Sequence, residues 1–345
     1  MYHIYNRYMR WLRRSGFGLV FGLLAYAATI LLQQKTAPPS PSSSQVLSAA
    51  TGIGLFVEPQ DGRQPILNAI TSAQKQILVE VYELTDKQIL NALIEEKAKG
   101  IAVKVMLEHH PFGSEAINDQ AEQTLQSAGV AVQWTNPAFA LTHEKDIIID
   151  NNELFVLNQN LTASSFSRNR EYDIVDDNKQ DIAEAEQIFT DDWQRQNFHP
   201  TDSHLIISPV NSRAGLTALL NQATKTIDIE IEDIDDPQIV QLLSQKAKTV
   251  QIRIITPTLS QISSNKDALE TLQAAGVQVR TISSPYIHAK LILADSQMAY
   301  VGSVNLSTQS MDKNRELGII FSQSASVQNL ATDFETDWQE ASNLH

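Results

Sequence analysis

Residues from about 50 onward are written twice, and this internal duplication constrains the fold more than any other feature. Ile77-Leu78-Val79-Glu80-Val81 returns as Ile227-Asp228-Ile229-Glu230-Ile231, an offset of 150. TLQSAGVAV (Thr124 to Val132) returns as TLQAAGVQV (Thr271 to Val279) at 147, and FTDDW returns as FETDW at 145. A period this long marks a duplicated domain rather than a solenoid, and the drifting offset places small length differences in loops. Within each copy, alternating β-branched segments (ILVEVYEL, IAVKVMLE, VAVQW; IDIEIEDI, VQIRIIT, VQVRTI) interleave with segments of helical apolar spacing. Gly100, Gly129 and Gly276 stand where three of these helices should stop. The rhythm predicts a sheet covered by helices in each copy. Trp193 and Trp338, near the end of each copy, are expected as core anchors of its terminal helix.

The copies also share a polar block. His143-Glu144-Lys145, four residues and then Asp150 in HEKDIIID match His288-Ala289-Lys290, four residues and then Asp295 in HAKLILAD. Asn160 follows in the first copy and Asn305 in the second. Each is followed by NRE (Asn169-Arg170-Glu171, Asn314-Arg315-Glu316), whose Glu lies 28 residues beyond its His. Each block reads as strand, turn, strand, with turns at Asp150-Asn151-Asn152 and Asp295-Ser296-Gln297. Residues i and i+2 of a strand share a face, so His143 and Lys145 point one way, as do His288 and Lys290. Each copy thus offers an imidazole, an ammonium and a carboxamide. Phosphodiester cleavage needs these parts: a nucleophile, a proton donor for the leaving oxygen, and cationic and amide donors for the non-bridging oxygens. Two nearby histidines can divide the first two roles around neutrality. A single His-x-Lys occurs by chance, whereas two copies at equal spacing with matched NRE tails do not suit a purely structural reading.

Composition narrows the rest. With no cysteine, disulfides and thiolate metal sites are excluded. Residues 1–50 hold five Lys/Arg and no acid, leaving 21 basic and 40 acidic residues beyond, a net charge of −19 there. So acidic a body repels polyanions, which disfavours a nuclease with a broad basic groove. Residues 15–34 are uncharged and mainly apolar, and residues 1–14 carry four arginines. This pattern predicts a cytoplasmic N-terminus (1–14), a transmembrane signal anchor (15–34), a Pro/Ser-rich linker (35–50) and an exported body. A cleaved signal peptide ending near Ala25-Tyr26-Ala27 is the alternative.

On these residues the chain resembles the phospholipase D superfamily, whose signature H-x-K-x4-D-x6-G-S-x-N occurs twice per active unit. His288, Lys290, Asp295, Gly302, Ser303 and Asn305 match at every fixed position. The first copy keeps His143, Lys145, Asp150 and Asn160, with Leu157-Asn158 in place of Gly-Ser. The bulk of Leu157 is expected to narrow the site. The resemblance implies an α/β fold of two similar α/β/α sandwich halves (51–200 and 201–345), packed with pseudo-two-fold symmetry after the transmembrane helix. It implies His143 as nucleophile, forming a phosphohistidine, and His288 as acid and base. Lys145, Lys290, Asn160 and Asn305 would bind phosphate oxygens, and Glu171 and Glu316 would hold the imidazoles. Asp150, Asp295, Ser303 and Asn158 would support the site. The implied chemistry needs no metal or other cofactor, and one chain suffices for a site.

Apolar loops before each His (Pro137 to Leu141; Pro285-Tyr286-Ile287), together with the anchor and acidic body, point to a phospholipid substrate, hydrolysed or transferred to an alcohol. A metal-independent endonuclease and a non-catalytic phosphate- or lipid-binding protein stand as alternatives. His109-His110, taken as extended, should face opposite sides and ligate nothing together; His199, His204 and His345 are expected to be incidental. Glu80 and Glu230 are expected to be edge-facing residues rather than neighbours of the site, and Arg170 and Arg315 either add local positive charge or pair with acids.

Overall fold

The structure, a computed structural model, describes residues 53–201, 203–322 and 325–344. Two mixed sheets organise them. The first has the order β1-β7-β6-β5-β2-β3-β4, from β1 (Gly54–Glu58), β2 (Gln76–Val81), β3 (Ala102–Leu107), β4 (Ala131–Trp134), β5 (Lys145–Ile149), β6 (Glu153–Val156) and β7 (Asn169–Asp176). The second repeats that order as β8-β15-β14-β13-β9-β10-β11, with β16 added at the edge. Its strands are β8 (Leu205–Ser208), β9 (Thr226–Ile231), β10 (Gln251–Pro257), β11 (Gln278–Ile282), β13 (Lys290–Ala294), β14 (Met298–Gly302), β15 (Glu316–Ser322) and β16 (Ser342–Asn343). The short β12 (Tyr286–Ile287) leaves the second half to pair in parallel with β7 of the first.

Local chemistry places the helices. In the first half, α1 (Gln64–Ser72), α2 (Lys87–Ala98) and α3 (Asp119–Ser127) cover one face of the sheet; the short α4 (Ser165–Arg168) precedes β7. In the second, α6 (Ser212–Gln222), α7 (Pro237–Lys246) and α8 (Lys266–Ala274) do the same; the short α9 (Thr308–Asp312) precedes β15. Asp86 accepts from the backbone N–H groups of Gln88 and Ile89 in α2, and Asp236 from those of Gln238 and Ile239 in α7, capping equivalent helices identically. Gly100, Gly129 and Gly276 all have positive φ just beyond helix ends. The other face of each sheet meets α5 (Lys179–Gln194) or α10 (Ala325–Glu340), and these faces share one apolar core that spans both halves. Leu78, Ile148 and Tyr172 lie in that core with Leu291, Val301 and Phe334, so the halves are joined by apolar burial as well as by polar contacts.

The transmembrane part of the expected architecture is corrected. Among the described residues no helix is long and apolar enough to cross a membrane. The two 16-residue helices, α5 and α10, fall short of the roughly 20 apolar residues needed and carry acidic faces. The segment 15–34 itself lies outside the described residues.

Three further expectations change. Glu80 and Glu230 are not at an edge: they sit on the central strands β2 and β9, at 1% and 0% exposure. His109 and His110 follow β3 in a bend rather than in extended chain, so their rings lie together, 3.9 Å between centroids, with Trp134 4.4 Å from His109. His204 is not incidental; its Nδ1 pairs with Asp181 at 2.8 Å.

Candidate active site

The hairpins β5–β6 and β13–β14 carry the duplicated blocks. At their tips Asp150, Asn151, Asp295 and Ser296 adopt positive φ, a tight-turn geometry that Asn and Asp tolerate. Asp150 accepts from the backbone N–H groups of Gln74, Lys75 and Gln76 at 2.6–2.8 Å, and Asp295 from those of Thr224, Lys225 and Thr226 at 2.7–2.9 Å. Both carboxylates therefore tie the hairpin tips to the neighbouring strands, seven residues or about 23 Å of extended chain from the histidines.

At the other end of the hairpins the halves exchange partners. The residues before His143 run alongside the second half: His143 N–H donates to Arg315 O at 2.8 Å, and Arg315 N–H to Leu141 O at 3.0 Å. Reciprocally, β12 lies on β7 and His288 N–H donates to Arg170 O at 3.3 Å. Each imidazole is consequently held by the NRE of the opposite half. His143 Nδ1–H donates to Glu316 at 2.9 Å, and His288 Nδ1–H to Glu171 at 2.6 Å. The asparagine of each NRE secures that glutamate: Asn169 donates to Glu171 at 2.9 Å and Asn314 to Glu316 at 3.1 Å. The arginines cross as well, Arg315 to Asp192 of α5 (2.7 Å) and Arg170 to Asp337 of α10 (2.6 Å). These arginines are thus consumed by buried pairs and add no free positive charge.

The crossing brings the two imidazole rings within 6.4 Å, with Nδ1 of each occupied by a glutamate of the opposite half. Lys145 and Lys290 are fully buried beside them, each donating to the carbonyl of its own motif histidine (2.6 and 2.7 Å). Burial, and then the Lys145 ammonium, pulls His143 down to about 4, against the pull of Glu316. Burial and Lys290 likewise lower Lys145 to about 7. Burial opposes charge on Glu316, yet His143, Lys145 and a hydrogen bond from Ser310 hold it below the usual carboxylate range.

Not every residue singled out in the sequence converges here. Asn158 Nδ2 donates to Gly302 O across the halves (2.6 Å), and Ser303 Oγ exchanges hydrogen bonds with the backbone of Leu317 (3.1–3.2 Å); both side chains brace strands. Leu157 does not narrow the site: it is fully buried in the helix-covered core of the first half. Its counterpart Gly302 has no such room, since a Cβ there would lie 2.3 Å from Gly318 Cα. Asn305 Oδ1 accepts from Asp233 N–H at 3.2 Å, and Asn160 Oδ1 is buried without a partner.

Two residues that the sequence reading missed stand at the histidines. Tyr82 packs edge-on to His143 (4.8 Å), with the Lys145 ammonium 5.3 Å from its ring. Glu232 lies 2.8 Å from Lys290 Nζ and 3.5 Å from His288 Nε2. Extending the strand alignment one position past Val81 and Ile231 pairs these two residues, which is the signal that exposes them.

Comparison with known proteins agrees with this geometry. The family described as cardiolipin synthase, PLD-like domain, matches residues 66–193 and again 216–338. The chain belongs to the phospholipase D superfamily. Among its relatives, cardiolipin synthase 1 of Bacillus cereus is 23% identical over 331 residues, covering 81% of this chain and 65% of the relative. Human mitochondrial cardiolipin hydrolase is 32% identical over 129 residues, 36% of this chain and 50% of that protein. The chain thus spans about two thirds or less of the length of these superfamily relatives. The structure of Haemophilus influenzae phosphatidylserine synthase superposes with a TM-score of 0.68 at 14% identity, over 86% of this chain and 89% of that one, a likeness of fold.

Proposed function

We propose that the chain is a phospholipase D-type phosphodiesterase that cleaves a phospholipid head-group ester through a phosphohistidine. The observation that carries the proposal is the pair of imidazoles 6.4 Å apart, each fixed at Nδ1 by a glutamate from the opposite half. In this reading His143 Nε2 attacks phosphorus, and the bond to the leaving oxygen breaks. That oxygen takes the proton from His288 Nε2. His288 Nε2 then removes a proton from water, whose oxygen attacks phosphorus and breaks the P–N bond, freeing His143. An alcohol in place of water gives transfer. Lys145 and Lys290, with Asn160 and Asn305 at the ends of the return strands, are assigned to the phosphate oxygens.

A lipid substrate is supported by the names of the sequence relatives and by the acidic body, which disfavours a polyanion. It is also supported by Phe112, which is 89% exposed. Its backbone N–H donates to the Tyr82 hydroxyl at 2.5 Å, so an exposed aromatic ring stands one residue contact from His143. Such a ring suits insertion among lipid chains.

The test is turnover by the full chain in EDTA, alongside His143→Asn and His288→Asn. Phosphatidylglycerol and phosphatidylcholine vesicles, single-stranded and duplex DNA, and a soluble bis-aryl phosphodiester are offered in turn. Lipid cleavage lost in both variants is expected. DNA cleavage without lipid product would make the chain a nuclease, and phosphate binding without turnover would make it a binding protein.

A further inference from the structure

The two halves are matched in strand order, register and motif, and this makes one mismatch informative. Val81 pairs with Lys145, and Ile231 pairs with Lys290, at equivalent positions of β2–β5 and β9–β13. The next residue on each strand therefore comes opposite the residue that follows the motif histidine, within reach of the imidazole. In the first half that residue is Tyr82, whose ring edge meets His143 while its hydroxyl is turned away to Phe112 N–H. In the second half it is Glu232. One of its carboxylate oxygens lies 2.8 Å from Lys290 Nζ and 3.5 Å from His288 Nε2; the other accepts from the Tyr286 hydroxyl at 2.9 Å.

The charges around the two imidazoles differ accordingly. His288 has Glu171 of β7 at Nδ1 and Glu232 at Nε2, with Lys290 on its own strand and Glu83 and His143 facing it from the first half. His143 has Glu316 of β15 at Nδ1, Lys145 on its own strand, Lys290 from across, and the apolar edge of Tyr82. His288 thus lies between two carboxylates, whereas His143, buried beside ammonium groups and an aromatic ring, is favoured neutral. Burial opposes charge on Glu232, but His288 and Lys290 hold it well below the usual carboxylate range, so the second carboxylate is ionised under all ordinary conditions.

We propose that Glu232 is a positioning residue: its carboxylate, beside both Lys290 Nζ and His288 Nε2, directs His288 Nε2 as the proton donor to the leaving oxygen and leaves His143 as the nucleophile. The inference rests on the phosphodiesterase reading above. It assigns to a residue outside the duplicated motif a division of labour that the His and Lys common to both copies cannot make. When His288 Nε2 has given its proton to the leaving oxygen, the Glu232 carboxylate remains on Lys290. When His288 next takes a proton from water, Glu232 again faces the cation.

The test compares two soluble phosphodiesters with the same phosphoryl part, one losing an alkoxide and the other a nitrophenolate, which leaves without a proton. Glu232→Gln keeps the shape and the contacts with Tyr286 and Lys290 but removes the charge; Glu232→Tyr copies the first half. For Glu232→Gln, kcat/KM for the alkyl ester should fall about 10²-fold, the ordinary worth of a general acid, and for the nitrophenyl ester by no more than about threefold. Acid-free quenching during turnover should leave the phosphoryl label on the peptide containing His143. Equal losses on both esters, or a label on His288, overturn the inference while the phosphodiesterase reading stands. Wild-type chain that turns over neither ester overturns that reading, and the inference with it.

Discussion

Removing two buried charges without changing shape should flatten the dependence of stability on pH. Glu80 on β2 pairs directly with Asp146 on β5, and Glu144 projects from the same face of the chain two residues before it. Carboxylate oxygens of the three lie within 4.8 Å of one another, all three residues are at 2% exposure or less, and both oxygens of Glu80 lack a partner. The nearest compensating charge, Arg315, is already paired with Asp192. Two such charges repel by about 3 kcal/mol in an effective dielectric of about 20, so the cluster does not ionise fully. Burial, and then mutual repulsion, raises all three carboxyls well above their ordinary values of 4.5 and 3.8. The sign follows. Above the unfolded-state values the folded chain holds more protons than the unfolded one, so stability is greatest at low pH and falls as pH rises toward the raised values. Each extra proton corresponds to about 1.4 kcal/mol per pH unit, so one proton held from pH ~5.5 to ~7.5 costs about 3 kcal/mol. Glu144→Gln with Asp146→Asn removes this term and supplies amide donors for Glu80. Thermal unfolding followed at stepped pH should show the wild-type Tm falling relative to the double variant by about 5 °C over that range, the shift expected when a body of this size unfolds with about 2 cal/mol/K of entropy per residue. Parallel curves would refute the reasoning, because they would mean that the three carboxyls ionise as freely in the folded chain as in the unfolded one.

The acid limb of kcat/KM should have its midpoint near 4 rather than at the ordinary ~6.5, since the nucleophile must be neutral and burial with Lys145 lowers His143 to about 4; a pH profile on a soluble diester checks it, and a midpoint near 6.5 contradicts it. Glu316→Gln and Glu171→Gln should each lower kcat by about 10²-fold, because each loosens the histidine of the opposite half; retained activity in either would remove its orienting role. Leu157→Gly should restore the superfamily pattern yet lower stability by about 3–5 kcal/mol in denaturant unfolding, with kcat little changed, because Leu157 fills core rather than site; higher activity would show that it obstructs the site. Phe112→Ser should leave soluble-diester turnover intact and weaken vesicle cleavage about tenfold, the loss of roughly one partly buried aromatic ring; an unchanged vesicle rate would detach Phe112 from lipid contact.

Much of this was legible in the chain because the signals are local. Strand alternation, helical apolar spacing and the glycines at helix ends act within a few residues, so β2, α2, β3, α3 and β4 could be read in order together with their repeats. The duplicated motif marked His143, Lys145, His288 and Lys290 through spacing alone. Residues that act across the halves were less legible. Nothing within NRE shows that Glu171 serves His288 or that Arg170 reaches Asp337, because a sequence separation of 117 or 167 carries no geometric information by itself. Leu157 was misjudged for a related reason: its motif position suggested the site, while the side chain direction that buries it depends on a strand pairing the motif does not encode.

The crossed pairing also explains why two halves that each carry a full motif should remain one unit. Either half alone would hold an imidazole whose Nδ1 has lost its carboxylate, and a buried arginine (Arg170 or Arg315) or aspartate (Asp337 or Asp192) whose partner is gone. Leaving a buried charge unpaired costs about 3–5 kcal/mol, and each half would lose two such pairings as well as its share of the common apolar core. The same contacts that hold the halves together therefore set the orientation of the two imidazoles. Substitution at Arg170 or Asp337 should perturb His288 through β7, and substitution at Arg315 or Asp192 should perturb His143 through β15, although none of these four side chains belongs to the duplicated His-Lys block. Stability and site geometry are thus coupled at the interface, and Tyr82 against Glu232 is a place where the surroundings of the two motif histidines become chemically distinct.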